Sequence, residues 1–313
     1  MEFRWKRRGL LIRPEGQSDW WVSHAQSGTP LILSSRRWRL FFAGRDGGGQ
    51  SRIMYIDVDP RAEMRVHETR FDPILDLGLP GTFDSAGQLP STALQRGERI
   101  DLYYIGAHLR RDVDYGLAIG LASGAESGQF GRRVRGPVLS TGPHDPYFVT
   151  SLFVAEDGNQ FVGWYASAVG WISIEAGRLD PTYDLKRATS PDGIFWKTSP
   201  TGGLALQDGI GGYARPWVAN IGGEEILFYS KRGFRRFREA GGETYRLWWV
   251  RLKSGFPNGA AAPVVFENPA RPGDWDYEMQ EYASVVPLDS GYVMFYNGNG
   301  FGRSGFGWAT LGL

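Results

Sequence analysis

Three aspartates precede a tyrosine at one fixed interval along the chain. Asp84 stands before Tyr104, Asp145 before Tyr165 and Asp276 before Tyr296 at identical separations, and Glu278 and Glu281 lie between the last pair. Carboxylates that are crowded together raise one another's pKa, so one stays protonated as an acid while another is ionised as a base or nucleophile. Cleavage of a glycosidic bond uses such a pair. We therefore predict that Asp84, Asp145, Glu278 and Glu281 are catalytic if the fold brings them together.

Other polar and basic side chains fall at similar depths or in neighbouring loops. The predicted substrate-binding residues are His24, Gln26, Arg45, Arg215, Asp276, Tyr147, Lys231, Arg232 and Arg303. The basic segment SKRGFRRFREAGG (230–242) suits a phosphate, a sugar nucleotide or an acidic sugar, because guanidinium groups bind such anions with paired hydrogen bonds. Two plainer interpretations stay open: the segment is a solvated hairpin, and each aspartate caps a turn through backbone N–H groups.

The elements that must position these residues recur five times. Each copy is an apolar run that ends in an aromatic residue: RWRLFFAG (37–44), RIDLYYIG (99–106), QFVGWYAS (160–167), EEILFYSK (224–231) and GYVMFYNG (291–298). The aromatic anchors of these copies, Phe42, Tyr104, Tyr165, Tyr229 and Tyr296, are separated by nearly equal lengths of chain. Two further elements recur in phase, and the fifth copy of one of them, GLLIRP (9–14), stands at the opposite end of the chain.

This rhythm predicts an all-β fold, a five-bladed β-propeller with four antiparallel strands per blade. The displaced N-terminal strand would complete the last blade and close the ring. We expect a single domain over 1–313, with blades at about 28–78, 84–141, 145–208, 213–267, and 278–313 plus 3–13. The aromatic stripe is interpreted as core between blades. Helical folds are disfavoured, because Gly and Pro interrupt every stretch that could have a helical period.

Composition limits the possible functions. Lys+Arg is 35 and Asp+Glu is 34, so no charge excess favours binding to a nucleic-acid polymer. The absence of cysteine excludes disulfides, thiolate metal sites and cysteine nucleophiles. No apolar run reaches the ~20 residues of a membrane span. We expect a cytoplasmic protein without membrane contact, metal or cofactor; the sequence leaves its oligomeric state open.

Five motifs carry a resemblance to a known superfamily: FDSAGQLPSTAL (83–94), HDPYF (144–148), TSPDGIFWKTS (189–199), EMQEYASVV (278–286) and YNGNGFGRSGFGWA (296–309). In their order and period they resemble the five-bladed β-propeller glycosidases, which include the arabinanase/xylosidase, invertase/levansucrase and mannoside-phosphorylase groups and uncharacterised relatives. The resemblance implies a carboxylate that stabilises the transition state at Asp145, an Asp that serves the site at Asp84, and an acid Glu within 278–286.

The chain departs from these groups in its first blade. Invertases and arabinanases have an Asp there, whereas SHAQSGTP (23–30) offers His24 and Gln26. The prediction is therefore a carbohydrate-active enzyme, a glycoside hydrolase or a phosphorylase, that acts on a saccharide or on a phosphorylated or nucleotide sugar. The alternative is a propeller that binds a glycan or sugar phosphate without catalysis.

Overall fold

Five separate sheets make up the computed structural model, which describes residues 3–14, 18, 20–126, 128–174 and 177–312. The N-terminal strand is β1 (Arg4–Ile12). Blade one consists of β2 (Ser23–Ser34), β3 (Arg37–Arg45), β4 (Ser51–Asp59) and β5 (Arg65–Arg70). Blade two consists of β6 (Gly87–Arg96), β7 (Arg99–Leu109), β8 (Tyr115–Ala125) and β9 (Phe130–Arg132). Blade three consists of β10 (Val149–Asp157), β11 (Gln160–Ser173), β12 (Leu179–Ser190) and β13 (Lys197–Thr198).

The remaining strands form the last two blades. Blade four consists of β14 (Gly212–Ile221), β15 (Glu224–Arg232), β16 (Arg246–Lys253), β17 (Phe256–Pro257) and β18 (Ala262–Pro263). Blade five consists of β19 (Val265–Phe266), β20 (Glu281–Leu288), β21 (Gly291–Asn297), β22 (Phe306–Gly312) and the N-terminal β1. Among the described residues, helix is confined to a 3₁₀ turn at Pro60–Ala62 and the short α1 (Asn299–Gly302), in which Gly300 and Phe301 have left-handed φ angles. The predicted five-bladed, nearly all-β architecture is confirmed.

The inner strands are β2, β6, β10, β14 and β20, each at one edge of its sheet, and they contact one another around a ring. β2 contacts β6, β6 contacts β10, β10 contacts β14, β14 contacts β20, and β20 contacts β2. The blades therefore follow one another around the ring in chain order.

The ring is closed by the two ends of the chain, as predicted. β1 pairs antiparallel with β22, for example Lys6 with Thr310, and occupies the outer position of blade five. It also pairs in parallel with β19, which follows blade four in sequence. Backbone hydrogen bonds, rather than a disulfide, therefore join the first and last segments of the propeller.

Aromatic side chains fill the wedges between blades. Each pair of neighbouring blades is joined by an edge-to-face ring contact: Phe41–Phe130, Tyr103–Trp196, Phe153–Trp217, Trp5–Phe228 and Trp38–Phe295. Edge-to-face geometry places the positive edge of one ring against the negative face of the other. The aromatic stripe of the sequence is thus largely core between blades.

Trp196 reaches blade two because of a tight turn. In the segment TSPDGIFWKTS, Asp192 Oδ1 accepts hydrogen bonds from the backbone N–H groups of Ile194 and Phe195, both at 2.9 Å. The Trp196 indole donates to the carbonyl of Gly193 at 3.1 Å, and the Tyr103 hydroxyl donates to the same carbonyl at 2.9 Å. This motif therefore has a structural role. Among the described residues, no helix has both the length and the apolar character that crossing a bilayer requires.

Candidate functional site

A cavity of about 490 Å³ lies where the inner strands and the loops of one face meet. Its volume is in the range of small-molecule sites. All five blades contribute to it, and its walls are rich in rings: Tyr115, Tyr183, Phe237, Tyr245, Tyr282 and Phe301. Aromatic faces with polar edges are suited to stacking against a sugar ring while other groups bind its hydroxyls.

One position of each inner strand is equivalent in register, and in four blades its residue lines this cavity. On each inner strand, this position is the residue that pairs with the second-strand residue directly after the aromatic anchor. The five residues at this position are Gln26, Leu89, Thr150, Ala214 and Glu281. The first four line the cavity. Because the five positions are equivalent in register, Glu281 holds the blade-five position. It is fully buried behind the described wall of the cavity, where the next residue, Tyr282, lines the blade-five side. In blades two to five, this position precedes the anchor by the same number of residues that separates Glu281 from Tyr296. In blade one it precedes the anchor by one residue more.

A β-bulge follows this position in every blade. In four of them the next residue has a left-handed φ: Ser27 (60°), Ser151 (53°), Arg215 (51°) and Tyr282 (60°). The bulge adds one residue to the inner strand and re-aims its side chain. Ser27, Ser151 and Tyr282 consequently line the cavity together with the residues before them. Left-handed conformations are costly for residues other than glycine and concentrate at functional sites.

Glu281 is a fully buried carboxyl group without a counter-ion in the part of the chain that the structure describes. Both of its oxygens lack a hydrogen-bond partner among those residues. Burial raises the pKa of Glu281 well above its ordinary value, and the nearby Asn297, Tyr282, Arg238 and Arg45 offset this only in part. Burial thus favours the protonated form of this carboxyl group, and a carboxylic acid can donate its proton.

Arg45, one of the predicted binding residues, lies at the end of β3 and lines the cavity. Its Nε donates to Gln26 Oε1 at 3.1 Å, and Gln26 Nε2 donates to the carbonyl of Phe301 at 2.6 Å. Among the described residues, Arg45 has no carboxylate at ion-pair distance. Burial, followed by repulsion from Arg238 and Arg303, lowers its pKa despite the attraction of Tyr282 and Glu281.

Arg238 and Arg232 line the blade-four side of the cavity. Arg238 binds the buried carboxylate of Asp180 through Nε at 3.1 Å and Nη2 at 2.6 Å. Arg232, one of the predicted binding residues, donates to the carbonyl of Pro181 at 2.6 Å and to the Tyr245 hydroxyl at 3.2 Å, and it is 2% exposed. Arg232 therefore ties blade four to blade three as well as forming part of the wall.

Arg178 and Asp114 stand at the rim. Their side chains, both about half exposed, form an ion pair of 3.3 Å between the loops of blades three and two. His108 also lines the cavity, and its buried Nδ1 lacks a hydrogen-bond partner among the described residues.

Arg215 crosses the centre of the propeller instead of lining the cavity. Its guanidinium is buried, and it donates to the carbonyl of Pro90 at 2.8 Å, to Thr29 Oγ1 at 2.6 Å and to Ser284 Oγ at 3.3 Å. These acceptors belong to blades two, one and five. Burial lowers the pKa of Arg215 to about 9.

Asp84, predicted to be catalytic, is buried inside blade two. Its Oδ2 accepts hydrogen bonds from the Tyr104 hydroxyl at 2.9 Å and from Arg132 Nε and Nη2 at 2.8 and 2.5 Å. Among the described residues that form the cavity wall, Asp84 does not occur. We call this arrangement of an aspartate, the anchor tyrosine and a cation from another strand of the same blade an aspartate latch.

The same latch recurs in two other blades. In blade three, Asp145 accepts from the Tyr165 hydroxyl at 3.2 Å, and Lys186 Nζ lies 3.2 Å from Oδ1. In blade five, Asp276 accepts from the Tyr296 hydroxyl at 2.8 Å and from Arg7 Nε at 2.9 Å. The constant interval between aspartate and tyrosine thus marks a contact within each blade, and Asp145 and Asp276 also lie outside the described wall of the cavity.

Five other predicted residues are not part of the described cavity wall: His24, Tyr147, Lys231, Glu278 and Arg303. Burial, with repulsion from Arg45 and Arg303, lowers the pKa of His24 to about 3. Lys231 Nζ instead lies 3.5 Å above the Trp248 ring. Glu278 Oε2 accepts a 3.0 Å hydrogen bond from the backbone N–H of Gly241. The roles predicted for these residues stay predictions.

The sequence reasoning missed much of the cavity wall. The residues that it did not single out as binding residues include Ser27, Asp114, Tyr115, Thr150, Ser151, Arg178, Tyr245 and Tyr282. The signal that would have found several of them is the anchor itself. Counting back from the anchors of blades two to four by the number of residues between Glu281 and Tyr296 gives the equivalent inner-strand position of each blade. The residues of the bulge follow that position.

No protein-family model matches the chain. It is 29% identical over 308 residues to the uncharacterised protein Rv1502 of Mycobacterium tuberculosis, covering 98% of this chain and 99% of that protein. A solved glycoside hydrolase superposes with a TM-score of 0.70 at 17% identity, over 99% of this chain and 91% of its own. The chain has the fold of the five-bladed propeller glycoside hydrolases.

A second solved structure with this fold contains a sugar. A variant of the Bombyx mori GH32 β-fructofuranosidase BmSUC1 in complex with sucrose superposes with a TM-score of 0.61 at 14% identity, over 96% of this chain and 62% of that enzyme. The resemblance to propeller glycosidases is thus confirmed for the fold.

Proposed function

We propose that this protein binds a saccharide in the axial cavity and cleaves or transfers a glycosidic bond there, with Glu281 as the proton donor. The observation that carries the proposal is the position and state of Glu281. It holds the blade-five place in a ring of residues of which the other four line the cavity, and its buried carboxyl group has two oxygens without a partner among the described residues.

The chemistry follows from that state. A leaving sugar oxygen needs a proton as the glycosidic bond breaks, and a protonated carboxyl group can supply it. Burial of Glu281 raises its pKa and so favours the protonated form. Among the described residues that line the cavity, Asp114 is the one carboxylate. We propose it as the partner that stabilises positive charge or activates water or phosphate, which requires its half-exposed ion pair with Arg178 to open.

For Asp84, Asp145 and Asp276 we propose a structural role in the latches. Their oxygens are engaged by tyrosine hydroxyls and by Arg132, Lys186 and Arg7, so none is free to attack or to accept a proton. Saccharides, including phosphorylated or nucleotide sugars, remain the proposed ligands, and phosphorolysis remains an alternative to hydrolysis.

The test compares Glu281→Gln with wild type on two glycosides of the same sugar that differ in leaving group. A dinitrophenyl leaving group departs without protonation, whereas an alkyl or sugar alcohol does not. We expect Glu281→Gln to lower kcat/KM by about 10²–10⁴ on the unactivated glycoside and much less on the dinitrophenyl glycoside. Glu98→Gln, an exposed change in the hairpin between β6 and β7, is the control. Equal losses on both substrates would contradict the role of Glu281.

The second candidate is glycan binding without catalysis. It is favoured by the engagement of Asp84, Asp145 and Asp276 in latches, which leaves the cavity with fewer carboxylates than two-carboxylate chemistry requires. A binder would saturate with glycan in calorimetry and release neither reducing sugar nor, in phosphate buffer, sugar phosphate.

A further inference from the structure

The cavity carries more positive charge than its own carboxylates balance. Among the described residues, the guanidinium groups that face it are those of Arg45, Arg178, Arg232 and Arg238. Arg178 pairs with Asp114 and Arg238 pairs with Asp180. Arg45 and Arg232 bind neutral oxygens.

These four arginines differ in what they can offer a ligand. Arg232 is almost completely buried and donates to Pro181, Gly233 and Tyr245, so its donors are used. Arg178 is occupied by Asp114 at the rim. Arg45 uses Nε on Gln26, and its two terminal nitrogens have no partner among the described residues.

Arg238 is the second arginine, after Arg45, with a terminal nitrogen that could bind a ligand. Asp180 occupies Nε and Nη2 of Arg238, and Nη1 has no partner in the described part of the chain. The guanidinium is held in place from the other side by Phe301, whose ring centroid lies 5.2 Å from Cζ. Phe301 also accepts the hydrogen bond of Gln26, which in turn accepts from Arg45, so one short network orients both arginines.

The charges of these two arginines act on each other and on Glu281. Each affects the pKa of Glu281, and Arg238 lowers that of Arg45. Asp180 balances the charge of Arg238, whereas Arg45 has no carboxylate partner among the described residues, and a protonated Glu281 adds no negative charge beside it. An anion placed between them would form charge-assisted hydrogen bonds, which are stronger than neutral ones.

We propose that Arg45 and Arg238 form an anion subsite, so that the saccharide bound in the cavity carries a carboxylate or a phosphate group. This inference rests on the proposed function in that the same cavity holds the sugar, and it adds the chemical class of the substrate. Tyr245, Tyr282 and Phe301 supply the aromatic wall beside the subsite for the sugar ring.

The test measures binding of matched sugars by isothermal titration calorimetry. The probes are glucose, glucuronate and glucose 6-phosphate, and galactose with galacturonate. We expect wild type to bind at least one charged sugar about tenfold or more tightly than its neutral counterpart, and to lose this preference as salt is raised. Preference for a uronate identifies the anion as a carboxylate; preference for glucose 6-phosphate identifies it as a phosphate.

Variants assign the preference to residues. Arg45→Gln and, separately, Arg238→Gln are expected to bring the charged-to-neutral ratio close to one, whereas Arg65→Gln, on the exposed outer strand β5, leaves it unchanged. Circular dichroism checks that each variant is folded, and Arg238→Gln carries the test if Arg45→Gln is not. Equal or weaker binding of every charged sugar, no binding of either class, or an unchanged ratio in both variants would overturn the subsite.

The outcomes separate this inference from the proposed function. Tight binding of a uronate or sugar phosphate without turnover of any glycoside of that sugar would support the anion subsite and count against catalysis. Cleavage of a neutral glycoside with no preference for charged sugars would support catalysis and overturn the subsite.

Discussion

The guanidinium of Arg215 and the backbone carbonyl of Pro90 are joined by a hydrogen bond of 2.8 Å between two blades that are not neighbours in the ring. The same side chain reaches Thr29 in blade one and Ser284 in blade five. Propeller blades otherwise contact mainly the next blade, so Arg215 is a link across the axis. Its left-handed φ of 51° places the side chain there at a cost in backbone strain.

Loss of this link is expected to destabilise the whole ring. Arg215→Ala leaves three buried acceptors without a donor and opens a cavity, so we expect the free energy of unfolding to fall by about 3 kcal/mol. Urea denaturation followed by tryptophan fluorescence measures this. Arg215→Met keeps most of the volume and removes a buried cation, so its loss should be smaller. Arg65→Ala on the exposed β5 is the control, and an Arg215→Ala variant as stable as this control would refute the link.

The aspartate latches lead to a prediction that separates structure from catalysis. Asp84→Asn removes the charge that Arg132 and Tyr104 share, and breaking a buried ion pair is expected to cost about 3 kcal/mol. The folded variant should keep the sugar affinity of wild type in calorimetry, because Asp84 lies outside the described cavity wall.

Asp289→Asn is the matched control for Asp84→Asn. Asp289 forms an exposed ion pair with Arg61 at 2.8 Å, and pairs of that kind contribute about 0–1 kcal/mol. Should Asp84→Asn keep its stability but lose sugar binding or turnover, the latch assignment fails and the catalytic prediction regains support.

Periodicity in the sequence was enough to predict the propeller, because strand length, turn position and anchor spacing are local properties that repeat. The displaced strand Arg4–Ile12 was also predictable, since the last blade was one strand short. The site was harder. Asp84 precedes its anchor, Tyr104, by more residues than Glu281 precedes its own anchor, Tyr296. The longer separation brings Asp84 to the Tyr104 hydroxyl, and the shorter one places Glu281 on the inner strand, in register with residues that line the cavity.

The sequence alone does not distinguish the roles of these two carboxyl groups. The difference comes from the folded chain, in which a bulge follows Glu281 on the inner strand and Arg132 binds the buried carboxylate of Asp84. Arg238 and Asp180 are far apart in the sequence and meet through the packing of blade four against blade three, which no local pattern contains.

The pH dependence of stability is expected to report on Glu281 directly. Because burial raises the pKa of Glu281 above 4.5, the folded protein keeps this proton where the unfolded chain has lost it. Between 4.5 and the folded pKa, stability therefore falls as pH rises, by about 1.4 kcal/mol per pH unit for this one group. The facing groups Arg45 and Arg238 reduce the shift without reversing it.

Glu281→Gln stays neutral at every pH and should lack this dependence. Urea unfolding of wild type and Glu281→Gln at pH 5, 6, 7 and 8 gives a difference that isolates Glu281, since all other titrating groups are common to both. We expect the variant to gain on wild type as pH rises, while the exposed Glu98→Gln follows wild type throughout. Parallel profiles for wild type and Glu281→Gln would mean that Glu281 ionises in the folded protein like an exposed glutamate, and a carboxylate that has already lost its proton cannot donate one to a leaving sugar.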